Sequence, residues 1–128
     1  GGKYGGICVD EGWWPIIEAL SLYISHHIDT VNERRQHLLE SNPYNHKIPD
    51  EVPQVIVEQI KEKFGGLRFY YQGGDAVVDG MVRMAEAWAF RTCEVCGAPG
   101  HRTKDGWVKT LCDEHEEERK LARESVSY

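Results

Sequence analysis

The stretch CEVC at Cys93–Cys96 is followed, fifteen residues later, by CDEH at Cys112–His115. Written as a pattern, this is C-x2-C and then C-x2-H. Each spacing lets two side chains converge on one point, and the interval between the pairs is long enough for a hairpin to return the chain. Three thiolates and one imidazole are the ligand set of a tetrahedral structural zinc ion. The sequence therefore predicts zinc bound by Cys93, Cys96, Cys112 and His115.

The residues around these pairs indicate a treble-clef-like zinc ribbon. The small residues of Gly97–Gly100 are typical of a zinc knuckle, and Asp105-Gly106 is a strong two-residue hairpin signal. Trp107–Leu111 is then the expected returning strand, and a charged helix that begins near Cys112 would supply the second ligand pair. Because four protein ligands leave no position for an activated water, we expect the zinc to be structural. His101 is only an outside candidate for a substitute ligand.

The segment from Trp13 to about Ser41 has the periodicity of a long amphipathic helix. Pro15 falls in the first turn, where a missing N–H costs little, and Asn42-Pro43 predicts the end of the helix. We expect both Trp13 and Trp14 to close the core. Apolar residues recur at steps of three and four on the predicted buried face: Trp13, Ile17, Leu20, Ile24, Ile28 and Val31.

Residues 54–71 allow two interpretations. Ile56, Val57, Ile60 and Phe64 would share one face of a helix. The β-branched run Val55–Val57 and the strand-like Leu67–Tyr71 instead favour a β-hairpin with its turn in Lys61–Gly66, which we adopt. In its second strand we expect Leu67, Phe69 and Tyr71 to face the core, and Arg68 and Tyr70 to point outward.

A second helix is predicted after the hairpin. Asp75 is a good N-cap, and the helix should run to about Arg91. Gly80 within it costs about 1 kcal/mol relative to Ala, so this helix should depend on packing more than on propensity. The residues expected on its buried face are Val78, Met81, Val82, Ala85, Trp88 and Ala89.

Length and composition favour one compact unit, and the predicted helices and hairpin place it in the α+β class. The 128 residues are 41% hydrophobic, which is enough for a real core. We divide the chain into an α+β body over residues 1–91 and a zinc-ribbon module over residues 92–128 that packs on the body. The predicted fold is therefore a long N-terminal helix, a central β-hairpin, a second helix and a C-terminal treble-clef-like zinc ribbon.

Cysteine usage and hydropathy favour a cytoplasmic protein. Three of the four cysteines fall in the proposed site, and an odd Cys8 suits an intracellular zinc protein better than a disulfide framework. With no basic residue beside it in sequence, Cys8 is expected to be a buried, inert thiol. No apolar run approaches the roughly 18–20 residues needed to cross a bilayer, so we expect a soluble protein without a membrane partner.

Seven residues form a candidate binding surface. Lys61, Lys63, Arg68 and Tyr70 could share the outer face of the hairpin, where cations and an aromatic ring can contact phosphates or bases. The alternative is a charged sheet face that only keeps the edge soluble. The formal net charge of -6 argues against a general nucleic-acid binder. Three cations of the predicted zinc module could extend this surface: Arg102, Lys104 and Lys109.

Three stretches carry a family resemblance: Cys8-x3-Gly12-Trp13, QIKEKFGGLRFY at Gln59–Tyr70, and the Cys93–His115 module. Together they resemble small proteins encoded widely in bacteria and in their phages or prophages. The middle stretch is the most specific. The resemblance brings no activity or catalytic residues with it. It implies a phage or mobile-element setting, in which small accessory proteins bind host machinery or block host defence.

We therefore expect a non-enzymatic binding protein whose zinc ribbon fixes the geometry of a protein-interaction surface. Its concrete form is a phage-encoded inhibitor of a host protein or defence complex. Nucleic-acid binding through the seven residues above is the alternative. A treble-clef nuclease comes third, because it needs a free histidine and further ligands around a second metal, and His101 alone does not supply them once His115 is committed to zinc. The sequence leaves the oligomeric state open.

Overall fold

The computed structural model of the chain describes residues 6–44, 47–104 and 106–125. Within them the fold is α+β, with a long N-terminal helix and small sheets, as predicted. A short 3-10 helix, Glu11–Trp13, leads into the first α-helix. The elements, in chain order, are β1 (Ile7–Cys8), α1 (Trp14–Ser41), β2 (Ile56–Lys63), β3 (Gly66–Gln72), α2 (Ala76–Ala89), β4 (His101–Arg102), β5 (Thr110–Leu111) and α3 (Asp113–Ser125).

The main sheet has the strand order β1-β2-β3. β2 and β3 form the predicted antiparallel hairpin, with Ile60 opposite Phe69 and Lys61 opposite Arg68. β1 pairs with β2 in parallel and places Cys8 beside Lys61. β1 was not predicted, because two residues are too few to show an alternating pattern.

The hairpin turn consists of Phe64 and Gly65, which both have positive φ angles, 53° and 80°. Two consecutive positive φ angles define a type I′ turn, whose twist matches that of the flanking strands. Glycine accepts this conformation freely, whereas Phe64 does so at a conformational cost. The predicted turn region, Lys61–Gly66, contains this turn.

The core lies between one face of the main sheet and the helices α1 and α2. The predicted buried face of α1 is confirmed by Trp13, Ile17, Leu20, Ile24 and Ile28, while Val31 packs against the core and is partly buried. From β3, Leu67 and Phe69 are buried and Tyr71 packs against the core, as predicted, while Tyr70 is exposed.

Two tryptophan predictions were wrong. Trp14 is 50% exposed, and its indole Nε1 donates to the Val9 carbonyl at 3.2 Å instead of closing the core. Trp88 was expected on the buried face of α2, yet it is 57% exposed. Helical periodicity located the apolar side of α2 but could not tell how much of that side the rest of the chain covers.

α2 begins at the predicted cap. The Asp75 carboxylate accepts a hydrogen bond from the Val78 backbone N–H at 3.0 Å. His27 of α1 contacts the same carboxylate at 2.9 Å and so ties the two helices together. Burial alone would raise the pKa of Asp75, but the hydrogen bonds from His27 and the backbone outweigh it and hold that pKa below its ordinary value.

None of the helices in the described ranges has the length and apolarity that a membrane-spanning segment requires.

Candidate metal centre

The four predicted ligands converge at one point. One ligand atom from each of Cys93, Cys96, Cys112 and His115 lies within 4.8 Å of all the others. The Sγ atoms of Cys96 and Cys112 are 3.8 Å apart, and His115 Nδ1 lies 3.6 Å from Cys93 Sγ and 3.2 Å from Cys112 Sγ. The ligand set predicted from spacing alone is therefore assembled in the structure.

These distances fit a tetrahedral ion. With metal–sulfur bonds of about 2.3 Å, two tetrahedral thiolate ligands stand about 3.8 Å apart, and a thiolate and an imidazole stand slightly closer. The spacing of Cys96 and Cys112 is too long for a disulfide, in which the sulfurs lie about 2.05 Å apart. The Cys3His cluster is positioned to hold a metal ion, and its donor set is consistent with zinc.

A tight knuckle positions the first ligand pair. The Cys93 N–H donates to the Ala98 carbonyl at 2.8 Å, and the Gly97 N–H donates back to the Cys93 carbonyl at 2.9 Å. Gly97 has a φ of 84°, which a residue with a Cβ rarely adopts. The small residues that suggested a knuckle in the sequence therefore close this turn.

The start of α3 positions the second pair. Cys112 directly precedes the helix, and its Sγ accepts a hydrogen bond from the His115 N–H at 3.5 Å. His115 offers Nδ1 to the cluster, while its Nε2 faces a Glu118 carboxylate oxygen 3.8 Å away. That distance is too long for a hydrogen bond, so the knuckle and the start of α3, and not Glu118, hold the ligating atoms together.

The backbone around Cys93 favours a thiolate. Burial alone would raise the pKa of the Cys93 thiol. Hydrogen bonds from the backbone N–H groups of Cys112, Cys96 and Val95 outweigh this effect and lower the pKa from 9.0 to about 7. The deprotonated thiolate is the form that binds metal. The site thus holds at least one of its sulfur ligands close to the binding state at neutral pH.

The returning strand is shorter than predicted. Of Trp107–Leu111, only Thr110–Leu111 forms a strand, which pairs antiparallel with β4. Trp107 is exposed and lies before the strand. Asp105, half of the predicted hairpin turn, lies outside the described residues, whereas Gly106 has a φ of 70°.

The C-terminal module, which is the described part of residues 92–125, is joined to both ends of the body. The Gly12 N–H donates to the Glu94 carbonyl at 2.8 Å, and the buried Trp13 indole donates to the Thr92 carbonyl at 2.9 Å. At the other end, the Thr110 hydroxyl donates to the Gly65 carbonyl at 2.7 Å. The module that carries the Cys3His cluster is therefore packed against both the start of α1 and the hairpin turn.

Lys109 links the module to the hairpin. Its Nζ lies 3.1 Å from Glu62 and 3.8 Å from Glu94. Both carboxylates are well buried, and burial raises the pKa of Glu94. Glu62 also accepts the Gly65 N–H at 2.7 Å. Lys109 was predicted to lie on a binding surface, and in the structure it takes part in this ion-pair network.

The other candidate binding residues fall in three places. Lys61 and Arg68 are cross-strand partners, and Lys61 Nζ lies 5.6 Å from the centre of the Tyr70 ring. Alternation along β2 puts Lys63 on the same outer side of the sheet. We call these four residues the basic sheet face. Arg102 donates to the Phe64 carbonyl at the hairpin turn and stacks on Phe90, and Lys104 is exposed on the module.

Cys8 is exposed, contrary to the prediction of a buried thiol. It lies at the end of β1, opposite Lys61, and so adjoins the basic sheet face. The sequence could not show this neighbour, because β1 and β2 are separated by the whole of α1.

A second group that could hold a cation lies beside the cluster: His101, Asp113 and Glu116. His101 Nε2 lies 2.9 Å from Glu116, and its Nδ1 lies 3.7 Å from Asp113. The two carboxylates thus contact opposite ring nitrogens, which is the geometry of an ion pair and not of a chelate. The hydrogen bond from His101 lowers the pKa of Glu116. His101 is thereby engaged outside the Cys3His cluster.

Comparison of the chain with protein-family models, with curated proteins and with solved structures gave no match.

Proposed function

We propose that this chain is a small zinc-stabilised binding protein that recognises another protein through its basic sheet face. The observation that carries the proposal is the pairing of Lys61 with Arg68 and Tyr70 on the outer side of the sheet, while α1 and α2 pack on the opposite side. The zinc cluster would act at a distance, by holding the hairpin that presents this face.

The role of zinc in the proposal is structural. Three cysteines and one histidine would fill all four positions of a tetrahedral ion and leave none for a substrate or an activated water. The C-terminal module holds the hairpin turn through Thr110, Arg102 and Lys109. Folding of the module around its ion would therefore also fix the twist and position of β2 and β3. A treble-clef fold for the module belongs to the same proposal.

The chemistry of the basic sheet face suits an acidic protein surface. Tyrosine and arginine are enriched among the residues that dominate protein–protein binding energies. Tyr70 is partly exposed, and the ammonium of Lys61 lies over its ring, so the face combines apolar area with positive charge. We propose a bacterial host protein as the partner, inhibition as the consequence, and the cytoplasm as the place, in line with the phage setting that the sequence resemblance implies.

The test is affinity capture from a bacterial lysate with matched variants. The wild-type chain should recover one partner in stoichiometric amount, and the double variant Arg68→Glu, Tyr70→Ala should lose it. Arg83→Glu, which reverses an exposed charge on α2, should recover the partner as the wild type does. Equal recovery by the Arg68/Tyr70 variant, or no partner for any form, would contradict the proposal.

Nucleic-acid binding is the second candidate, favoured by the clustering of Lys61, Lys63 and Arg68 on one face of a chain that is otherwise acidic. Such binding would weaken steeply with salt, and each lost phosphate contact would lower the salt slope by about one. A titration of single-stranded and duplex oligonucleotides with the wild type and with Lys61→Gln, Lys63→Gln decides between the candidates. The absence of binding at low salt would exclude this one.

A further inference from the structure

A groove lies between α1 and α2, on the side away from the sheet. It has a volume of about 580 Å³. His27 meets Asp75 at the start of α2, whereas Pro15 lines the groove together with Trp88 near the end of α2, so the two helices run antiparallel. None of the described residues that line the groove carries a charge.

Large apolar side chains stand out from the rim of this groove. Tyr23 is 65% exposed, Met84 is 74% exposed and Trp88 is 57% exposed. Val77, also half exposed, lies seven residues before Met84 and so falls on the same side of α2. This is the spacing of a helix face that packs against another helix, but no described element of the chain covers it.

Gly80 lies on the same side of α2. Apart from the backbone of the helix itself, no atom of the described residues lies within 4 Å of a Cβ built at this position. A glycine in the interior of a helix is unfavourable, and here the packing within the chain does not require it. A backbone that approached α2 closely from outside would account for the small residue.

We infer that this face, defined by Tyr23, Val77, Gly80, Met84 and Trp88 and called the helix-layer face, is where a second copy of this chain binds. The face carries both a groove and the side chains that could fill one, and such self-complementarity is what a two-fold interface requires. The helix layers of the two copies would form a four-helix arrangement between two outer sheets.

The exposed area supports a second copy as the occupant. A buried aromatic side chain covers about 150–250 Å², so Tyr23 and Trp88, each more than half exposed, would bury a large area on contact. With Met84 and Val77, which are also at least half exposed, the helix-layer face offers an apolar surface on the order of several hundred Å². A stable two-fold interface needs about 800 Å² per partner with an apolar centre and a polar rim. The helix-layer face has the size and character of such a centre.

The inference is independent of the proposed function but has a consequence for it. Because the basic sheet face lies on the other side of the sheet, association through the helix layers leaves both copies of that face exposed and pointing outward. The dimer would therefore be bivalent, and a multivalent or repeating partner would bind it more tightly than a single site would.

The experiment is a measurement of molar mass by light scattering and sedimentation velocity on the full chain loaded with zinc. The wild type should have twice the 14.6 kDa of one chain. Gly80→Glu should have the mass of a single chain. Since a Cβ at Gly80 meets no side chain of the described residues, the glutamate has room in the single chain, and zinc content and circular dichroism should stay unchanged.

Two further variants complete the test. Met84→Glu, Trp88→Glu should also be monomeric, whereas Leu121→Glu, which changes an exposed apolar residue on α3, should remain dimeric. A wild-type protein that remains monomeric at every concentration measured would overturn the inference. So would a dimer that persists in both Gly80→Glu and the Met84/Trp88 variant.

Discussion

Gly12 and Glu94 are in direct backbone contact, with the Gly12 N–H 2.8 Å from the Glu94 carbonyl oxygen. A Cβ on Gly12 would lie 2.5 Å from that oxygen and closer still to the carbonyl of Cys93. Both obstacles are backbone atoms of the knuckle that carries two metal ligands, so neither can rotate aside. The start of α1 therefore fits the knuckle only because residue 12 has no side chain.

We predict that Gly12→Ala destabilises the protein by about 1–3 kcal/mol, since overpacking a close contact forces the backbone to shift. Urea unfolding at dilute protein concentration measures the effect. Gly80→Ala is the matched control: within the single chain, which dilution favours, no described atom outside the helix backbone lies within 4 Å of its added methyl group, and higher helix propensity should stabilise that chain by about 0.5–1 kcal/mol. If the two substitutions changed the free energy of unfolding equally, steric crowding at Gly12 would not explain the loss of stability.

Removal of the metal should unfold the C-terminal module, because the free energy of metal binding is part of the folding free energy in small metal-bound units. A strong chelator should release one zinc ion per chain, with loss of helical circular dichroism from α3. Cys96→Ser should lose the ion, and Cys8→Ser, at the cysteine outside the cluster, should retain it. Equal zinc content in both variants would contradict the assignment.

Lys109→Met should destabilise the protein by about 1–3 kcal/mol, because it leaves the buried carboxylates of Glu62 and Glu94 without their cation. Lys104→Met, at an exposed position on the same module, should change stability by less than about 0.5 kcal/mol. Thermal unfolding of the two variants gives the comparison. If Lys109 instead served mainly in binding, Lys109→Met would fold normally and lose only affinity.

The protonated phenol of Tyr71 should contribute to the free energy of unfolding, and this contribution should disappear at high pH. Burial, reinforced by the hydrogen bond to Asp79, raises the pKa of Tyr71 from 10.0 to about 12. The folded state therefore favours the protonated phenol: its contribution is fully present below pH 10 and is lost as the pH rises toward 12. Absorbance titration of the wild type minus Tyr71→Phe should show one phenol ionising near pH 12. A midpoint near 10 would contradict the prediction.

Local sequence patterns correctly predicted those features of the structure that depend on short-range interactions. The paired spacings at Cys93–Cys96 and Cys112–His115 predicted the metal cluster, and the caps, periodicity and turn residues predicted α1, the hairpin and the cap at Asp75. Each of these features depends on residues that lie close together in the chain or recur with a fixed period.

Features that depend on distant partners were missed. The exposure of Trp88 depends on what covers α2, and the exposure of Cys8 depends on a parallel pairing with a strand far along the chain. Lys109 was assigned by its charge alone, while its position was decided by Glu62 on another element. Composition and spacing carry no information about such contacts before the chain is folded.

The hydrogen bond between the Trp13 indole and the Thr92 carbonyl spans 79 residues of sequence. During synthesis on the ribosome, α1 is complete long before its partner in the knuckle has emerged. The N-terminal end of that helix must therefore wait for the last quarter of the chain, and for the ion that organises it, before its packing can close. Closure of this end of the helix would therefore be among the last steps in the folding of a newly made chain.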